Sequence, residues 1–138
     1  MKLSKEMEEL YEKAYEGYLN SYSPYSKFKV GAAILLKNGQ YIIGTNVENA
    51  SYGLSNCAER SALFQAYSLG YRKFDILKIM IIGNTEQPVS PCGACRQVIH
   101  ELLNKNTRIV LANLHGDIKI TNPDELLPFA FQEGDLKR

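Results

Sequence analysis

Cysteine is scarce in this chain, and its three copies cannot all pair with one another. A secreted scaffold stapled by disulfides is therefore disfavoured, and 138 residues are enough to bury one core without staples. Charge of one sign is missing as well: Lys and Arg total 16 against 15 Asp and Glu, a net of +1. Such a balance offers no broad electrostatic footprint for nucleic acid or an anionic membrane. No apolar run approaches the roughly 20 residues that a bilayer crossing needs. The opening Met1-Lys2-Leu3-Ser4-Lys5-Glu6 leads into acidic, amphipathic sequence rather than an apolar signal core. Repeats, low-complexity segments and internal linkers are absent too. The expectation is a single domain over 1–138 in a reducing cytoplasm, with no nucleic-acid or membrane partner. In that compartment clustered cysteines usually serve metal binding or catalysis.

What is present is the composition of an ordinary globular protein, 45% hydrophobic and 22% charged. Over 4–20 the apolar residues recur at steps of three and four, which predicts a helix capped by Ser4 and ended near Pro24. Segments 29–36 and 41–45 read as strands, joined by an Asn38-Gly39 turn with positive backbone dihedrals. Segment 46–56 lacks periodicity and reads as a loop. Helical spacing returns over 58–68, with Gly70 as its stop. The nearly continuous apolar run 76–83 predicts a strand buried on both faces. A loop over 84–90, a helix from 92 to 103 and a strand over 107–112 follow. A brief strand over 117–121, a short helix starting at Pro123 and a polar tail complete the chain. The last two strands are linked too tightly for a helical crossover, so they are expected to be antiparallel. This order predicts an α/β fold: a mixed five-stranded sheet with helices on both faces, in three α-β-α layers.

Two short stretches carry the chemistry. Cys57-Ala58-Glu59-Arg60 opens one predicted helix, and Pro91-Cys92-Gly93-Ala94-Cys95 opens another. In α/β sheets such helix starts collect at one carboxyl edge of the sheet, so folding can bring Cys57 to Cys92 and Cys95. A Cys-x-x-Cys pair alone suits metal or redox use equally, and a lone cysteine is often just a small hydrophobe. Three thiols at helix starts, with no visible fourth ligand, fit the open pattern of a catalytic zinc better than a closed structural site. Helix N-termini also favour thiolate over thiol. His100 falls well inside a helix and His115 in a turn, so neither is expected to ligate. Three thiolates around a divalent zinc leave the centre near −1, and the Arg60 guanidinium is placed to offset that excess.

Cys57-Ala58-Glu59 together with Pro91-Cys92-Gly93-Ala94-Cys95 resembles the signature of the zinc nucleoside deaminases in its three-cysteine form. Phe28-Lys29-Val30-Gly31-Ala32-Ala33, Asn46-Val47-Glu48-Asn49-Ala50-Ser51-Tyr52 and Arg96-Gln97-Val98-Ile99 extend the likeness to the small homotetrameric cytidine deaminases. It covers nearly the whole chain, from the first helix to about Phe131. The resemblance implies hydrolysis of cytidine and deoxycytidine to uridine and deoxyuridine plus ammonia, a step of pyrimidine salvage. It implies one zinc per subunit held by Cys57, Cys92 and Cys95, and Glu59 as the proton shuttle. Asn46 and Glu48 match the pair that binds the ribose 3′-hydroxyl. Phe28 matches an aromatic packed on the pyrimidine, and Ala58 offers a backbone N–H near the base. Ala50, Tyr52 and Phe131 match positions that reach a neighbouring subunit's site in a homotetramer. Arg60 matches the arginine that offsets thiolate charge.

Competing readings share parts of this pattern. Deaminases of nucleic acid or free bases share the zinc core, but the adenosine and guanine branches resemble His-Ala-Glu rather than Cys57-Ala58-Glu59. A blasticidin-type deaminase also uses a cysteine triad, yet Asn46, Glu48 and Ala50 favour an ordinary ribonucleoside. A non-catalytic zinc module that binds a partner would keep the metal and show no turnover.

Overall fold

The computed structural model describes residues 4–136. Its centre is a five-stranded sheet in the order β2-β1-β3-β4-β5, with β1 at Val30–Leu36, β2 at Tyr41–Thr45, β3 at Ile76–Gly83, β4 at Arg108–Asn113 and β5 at Ile118–Thr121. β3 and β4 are parallel and every other pairing is antiparallel, so the sheet is mixed as expected.

Side-chain alternation along β1 divides the interior into two cores. Ala33 and Leu35 face helix α1 (Lys5–Leu19), where Met7, Leu10 and Ala14 cover them together with Met80, Ile82 and Val110. Ala32, Ile34 and Leu36 face the other way, toward helices α2 (Ala58–Ser68) and α3 (Gly93–Leu102) and the short α4 (Pro123–Leu126). Every residue of β1 after Val30 is buried, because both faces of this inner strand are roofed by helices. Three layers result.

Ser4 caps α1, accepting the Met7 backbone N–H at 3.2 Å. The helix ends at Leu19 with Asn20 as its cap, in line with the expected end near residue 20 ahead of Pro24. The β1–β2 turn differs in detail from expectation. Only Gly39 has a positive φ, at 87°, while Asn38 keeps an ordinary one. The connection is therefore longer than a two-residue hairpin, with the Gly39 N–H donating to the Leu36 carbonyl at 3.0 Å. Segment 46–56 is more ordered than a plain loop: Val47 bridges both Tyr22 and Asn56, and a 3-10 turn occupies Tyr52–Leu54.

Strand direction sets where chemistry can collect. β2 and β3 both run antiparallel to β1, so their carboxyl ends, Thr45 and Gly83, flank the start of β1. The chain leaving β2 reaches Cys57, and the chain leaving β3 reaches Cys92, at this one edge. Close approach fixes α2 there. A Cβ on Gly44 would lie 2.3 Å from the Ala58 carbonyl oxygen and 2.6 Å from the Ala62 nitrogen, so only glycine lets the first turn of α2 rest on β2.

Candidate functional site

Cys57 is the residue before the first turn of α2 and Cys92 holds the same place on α3, both in extended backbone conformation. Cys95 follows one turn into α3 and is fully buried. The three sulfurs lie within 4.8 Å of one another, and the Cys92 and Cys95 sulfurs are 3.4 Å apart. All three cysteines are free thiols. With Zn–S bonds of about 2.3 Å, adjacent corners of a tetrahedron stand about 3.8 Å apart. The cluster has that size, so the donor set and its spacing fit a zinc ion.

Its electrostatics favour a cation as well. A hydrogen bond from Cys95 and the Arg60 guanidinium bring the Cys57 thiol down to about 5, against the opposing push of burial. Cys95 is pushed up by donating to Cys57 and by burial. One sulfur thus carries the charge while another keeps its proton, a proton that a divalent metal would displace. Arg60 donates from Nη2 to Cys57 Sγ at 3.4 Å, and that bond to sulfur keeps the guanidinium firmly charged. Replacing Arg60 with Gln is expected to lower turnover or zinc affinity about 10- to 100-fold. Chelator competition and steady-state kinetics check this, and unchanged values in both would refute the charge-balancing role.

Glu59 lies in the first turn of α2, only 3% exposed. Burial pushes its carboxyl up to about 7, a value suited to giving and taking protons near neutral pH. The carboxyl borders a cavity of about 420 Å³ that Cys57, Arg60 and Cys92 also line. Phe28, Asn46, Glu48 and Tyr52 line the same cavity. The Phe28 ring lies beside Gly83 and Val89, which makes an apolar wall near the sulfurs. Ala58 and Cys95 are fully buried and do not border the cavity. Ala50 and Phe131 do not border the cavity, and Ala50 is exposed on the 46–56 segment. Phe131 is exposed too, with its carbonyl held by the Gln97 side chain at 3.0 Å.

Ser26, Val89 and Ser90 also line the cavity, and no motif in the sequence marks them. Ser26 stands two residues before Phe28, and that proximity was its only signal. Arg96 was passed over as a structural clasp. It donates to the Pro91 carbonyl at 2.9 Å, the Ser90 hydroxyl at 2.6 Å and the Leu126 carbonyl at 2.8 Å, and so fixes the approach to Cys92. Neither histidine belongs to the sulfur cluster: His100 pairs with Asp124 at 3.2 Å, and His115 sits in the β4–β5 turn.

Residues 4–112 match the family described as the cytidine and deoxycytidylate deaminase zinc-binding region. A cytidine deaminase of Halalkalibacterium halodurans is 52% identical over 127 residues, covering 92% of this chain and 95% of that protein. One from Sporosarcina psychrophila is 52% identical over 116 residues, 84% of each chain. The crystal structure of cytidine deaminase from Burkholderia pseudomallei superposes with a TM-score of 0.87 at 47% identity, covering 94% of this chain and all of that one. Zinc is the cofactor this kinship brings, and the thiol cluster has the donors and spacing to receive it. The chain belongs to the zinc-binding cytidine and deoxycytidylate deaminase family.

Proposed function

We propose that this protein hydrolyses cytidine and deoxycytidine to uridine and deoxyuridine, releasing ammonia. One observation carries the reading. A buried carboxyl, Glu59, stands two residues from Cys57 of a three-thiol cluster, on a cavity whose lining also presents Asn46 and Glu48. Cys57, Cys92 and Cys95 would hold the zinc, which supplies Lewis acidity that makes water nucleophilic near neutral pH.

Glu59 moves the protons. It takes one from the attacking water and places it on pyrimidine N3, which leaves C4 open to attack. It then takes the second and places it on the exocyclic amine, which departs as ammonia while C4 keeps the oxygen. Its value of about 7 lets it take each proton from the attacking water and give the first to N3 and the second to the amine without a large energetic mismatch. Phe28 gives the base an apolar face, and Ala58, the first residue of α2, offers its backbone N–H to the base.

Unspent hydrogen-bonding capacity supports the assignment of the sugar end. Asn46 Oδ1 accepts the Val30 N–H at 2.9 Å and the Ser21 hydroxyl, and one Nδ2 hydrogen is spent on the Phe28 carbonyl at 2.8 Å. One N–H remains. Glu48 offers acceptor lone pairs close by, so a hydroxyl can accept from Asn46 while donating to Glu48. That pairing suits a ribose 3′-hydroxyl.

Exposure of Tyr52 and Phe131 supports a homotetramer whose sites are completed by neighbours, with Ala50 beside Tyr52 on the same projecting segment. Among the described residues no helix is long and apolar enough to cross a membrane. Three free thiols within bonding reach of each other suit the reducing cytoplasm. One continuous sheet roofed by two cores supports a single domain over 1–138, of which 1–3 and 137–138 lie outside the described residues. The test is an absorbance assay on cytidine, deoxycytidine, cytosine and adenosine, with zinc quantified in the same preparation. Both cytosine nucleosides should be consumed with ammonia release, and the other two left intact. Zinc-replete protein that leaves both nucleosides unchanged would refute the reading.

A further inference from the structure

Glu48 is nearly buried, and its carboxylate is already gripped from one side. Oε1 accepts the backbone N–H groups of Tyr25 and Ser26, each at 3.0 Å. Oε2 accepts the Ser26 hydroxyl. The same hydroxyl oxygen accepts the Phe28 backbone N–H at 3.0 Å. A serine hydroxyl has one donor and two acceptor sites, so this one is used in both senses. The chain can fold back so tightly because Lys27 adopts a left-handed backbone, with φ at 63°, and its N–H closes the turn onto the Ser23 carbonyl at 3.1 Å.

A closed circuit results. Glu48 holds Ser26, Ser26 holds the Phe28 nitrogen, and Asn46 holds the Phe28 carbonyl. The residue beside the base and the pair facing the sugar are joined through one hydroxyl, that of Ser26. Without it Glu48 keeps two backbone partners on Oε1 and loses the only one that Oε2 has among the described residues. Oε2 would then be free to rotate away from the orientation that receives a sugar hydroxyl. Phe28 would still be held by Asn46.

We propose that Ser26 is a positioning residue for substrate discrimination: its hydroxyl orients the Glu48 carboxylate so that the site can sense the sugar 3′-hydroxyl. This rests on the reading of Glu48 as the acceptor for that hydroxyl. Ser26 forms no bond to the reacting atoms, so its contribution lies in binding rather than in the chemical step.

The experiment compares cytidine with 3′-deoxycytidine in the zinc-loaded protein and in Ser26→Ala, Ser26→Thr and Ser26→Cys. For Ser26→Ala the KM for cytidine should rise about tenfold while kcat changes little, as loss of one hydrogen bond to a charged group implies. On 3′-deoxycytidine, which has no 3′-hydroxyl to sense, the same variant should lose much less than on cytidine, so that the preference between the two substrates shrinks about tenfold. Ser26→Thr, which keeps the hydroxyl, should restore the preference, and Ser26→Cys, a weak donor of similar size, should fall between. Equal losses on both substrates, or no loss on either, would overturn the proposal. Should the alanine variant fail to fold, the Cys variant decides the matter by the same two-substrate comparison. If the unaltered protein itself cannot tell the two substrates apart, the Glu48 reading fails before Ser26 enters. The two failures are thereby separate.

Discussion

Glu59→Gln is expected to keep its zinc and its fold and to lose about 10²- to 10⁴-fold in turnover, the usual contribution of a positioned acid–base group. Glutamine preserves shape and hydrogen-bonding reach, but it cannot accept the first water proton or deliver it to N3. Stability should not suffer, because burial sets the carboxyl's raised value. In the metal-free protein the folded value of about 7 exceeds the ordinary 4.5, so the protonated form is the one that suits the fold. The stabilisation is fully present below 4.5 and is lost as pH rises through about 7. Chelated Glu59→Gln should therefore unfold at no lower temperature than chelated wild type at pH 8. Kinetics with zinc quantification and thermal melts read both parts. Near-wild-type turnover would remove Glu59 from the chemistry.

Gly44→Ala is the second large effect, and it originates outside the cavity. The φ of Gly44 is not in the left-handed region, so the constraint is space alone. The new methyl would lie 2.3 Å and 2.6 Å from backbone atoms of α2, and backbone cannot swing aside as a flexible side chain would. Overpacking of this kind costs about 1–3 kcal/mol. The helix must lift, and with it move Cys57, the residue that precedes its first turn, and Glu59 within that turn. A displacement near 1 Å can cost about a hundredfold in rate. We expect a lower melting temperature, weaker zinc retention and about a hundredfold loss of turnover. Gly134→Ala is the control, since its methyl would meet open space and its φ is ordinary. Wild-type melting and turnover in Gly44→Ala would show that the close contact does not position the site.

Local patterns in the sequence were sufficient for the strands and helices because their residues sit in regular environments. The 76–83 run is apolar because β3 is paired on both sides and roofed on both faces. The steps of α1 appear because one stripe meets the sheet. The cysteine cluster was legible for a different reason: a zinc ion restricts ligand types so strongly that three thiols at helix starts stand out even when far apart in sequence.

Other features rest on single long-range contacts that leave no period. Val47 bridges to Tyr22 and Asn56 one residue at a time, so segment 46–56 looked structureless. Ser26 is a serine in a turn, a common occurrence, and only the arrival of Glu48 from 22 residues away gives it a role. Gly44 resembles any strand glycine until α2 is laid on it. The Asn38-Gly39 pair suggested a tighter turn than the chain makes, because one left-handed residue suffices in a longer connection. Site chemistry was thus more legible than the contacts that hold the site in shape.

The central claim is zinc-dependent hydrolysis at C4 of a cytosine nucleoside. Its most direct measurement is mass spectrometry of the product formed from cytidine in water enriched in heavy oxygen, with zinc-loaded and chelator-stripped protein side by side. Zinc-loaded protein should form uridine carrying one heavy oxygen in the base, and stripped protein should regain that activity when zinc is returned. Absence of uridine with zinc bound, or equal formation after the metal is removed, would contradict it.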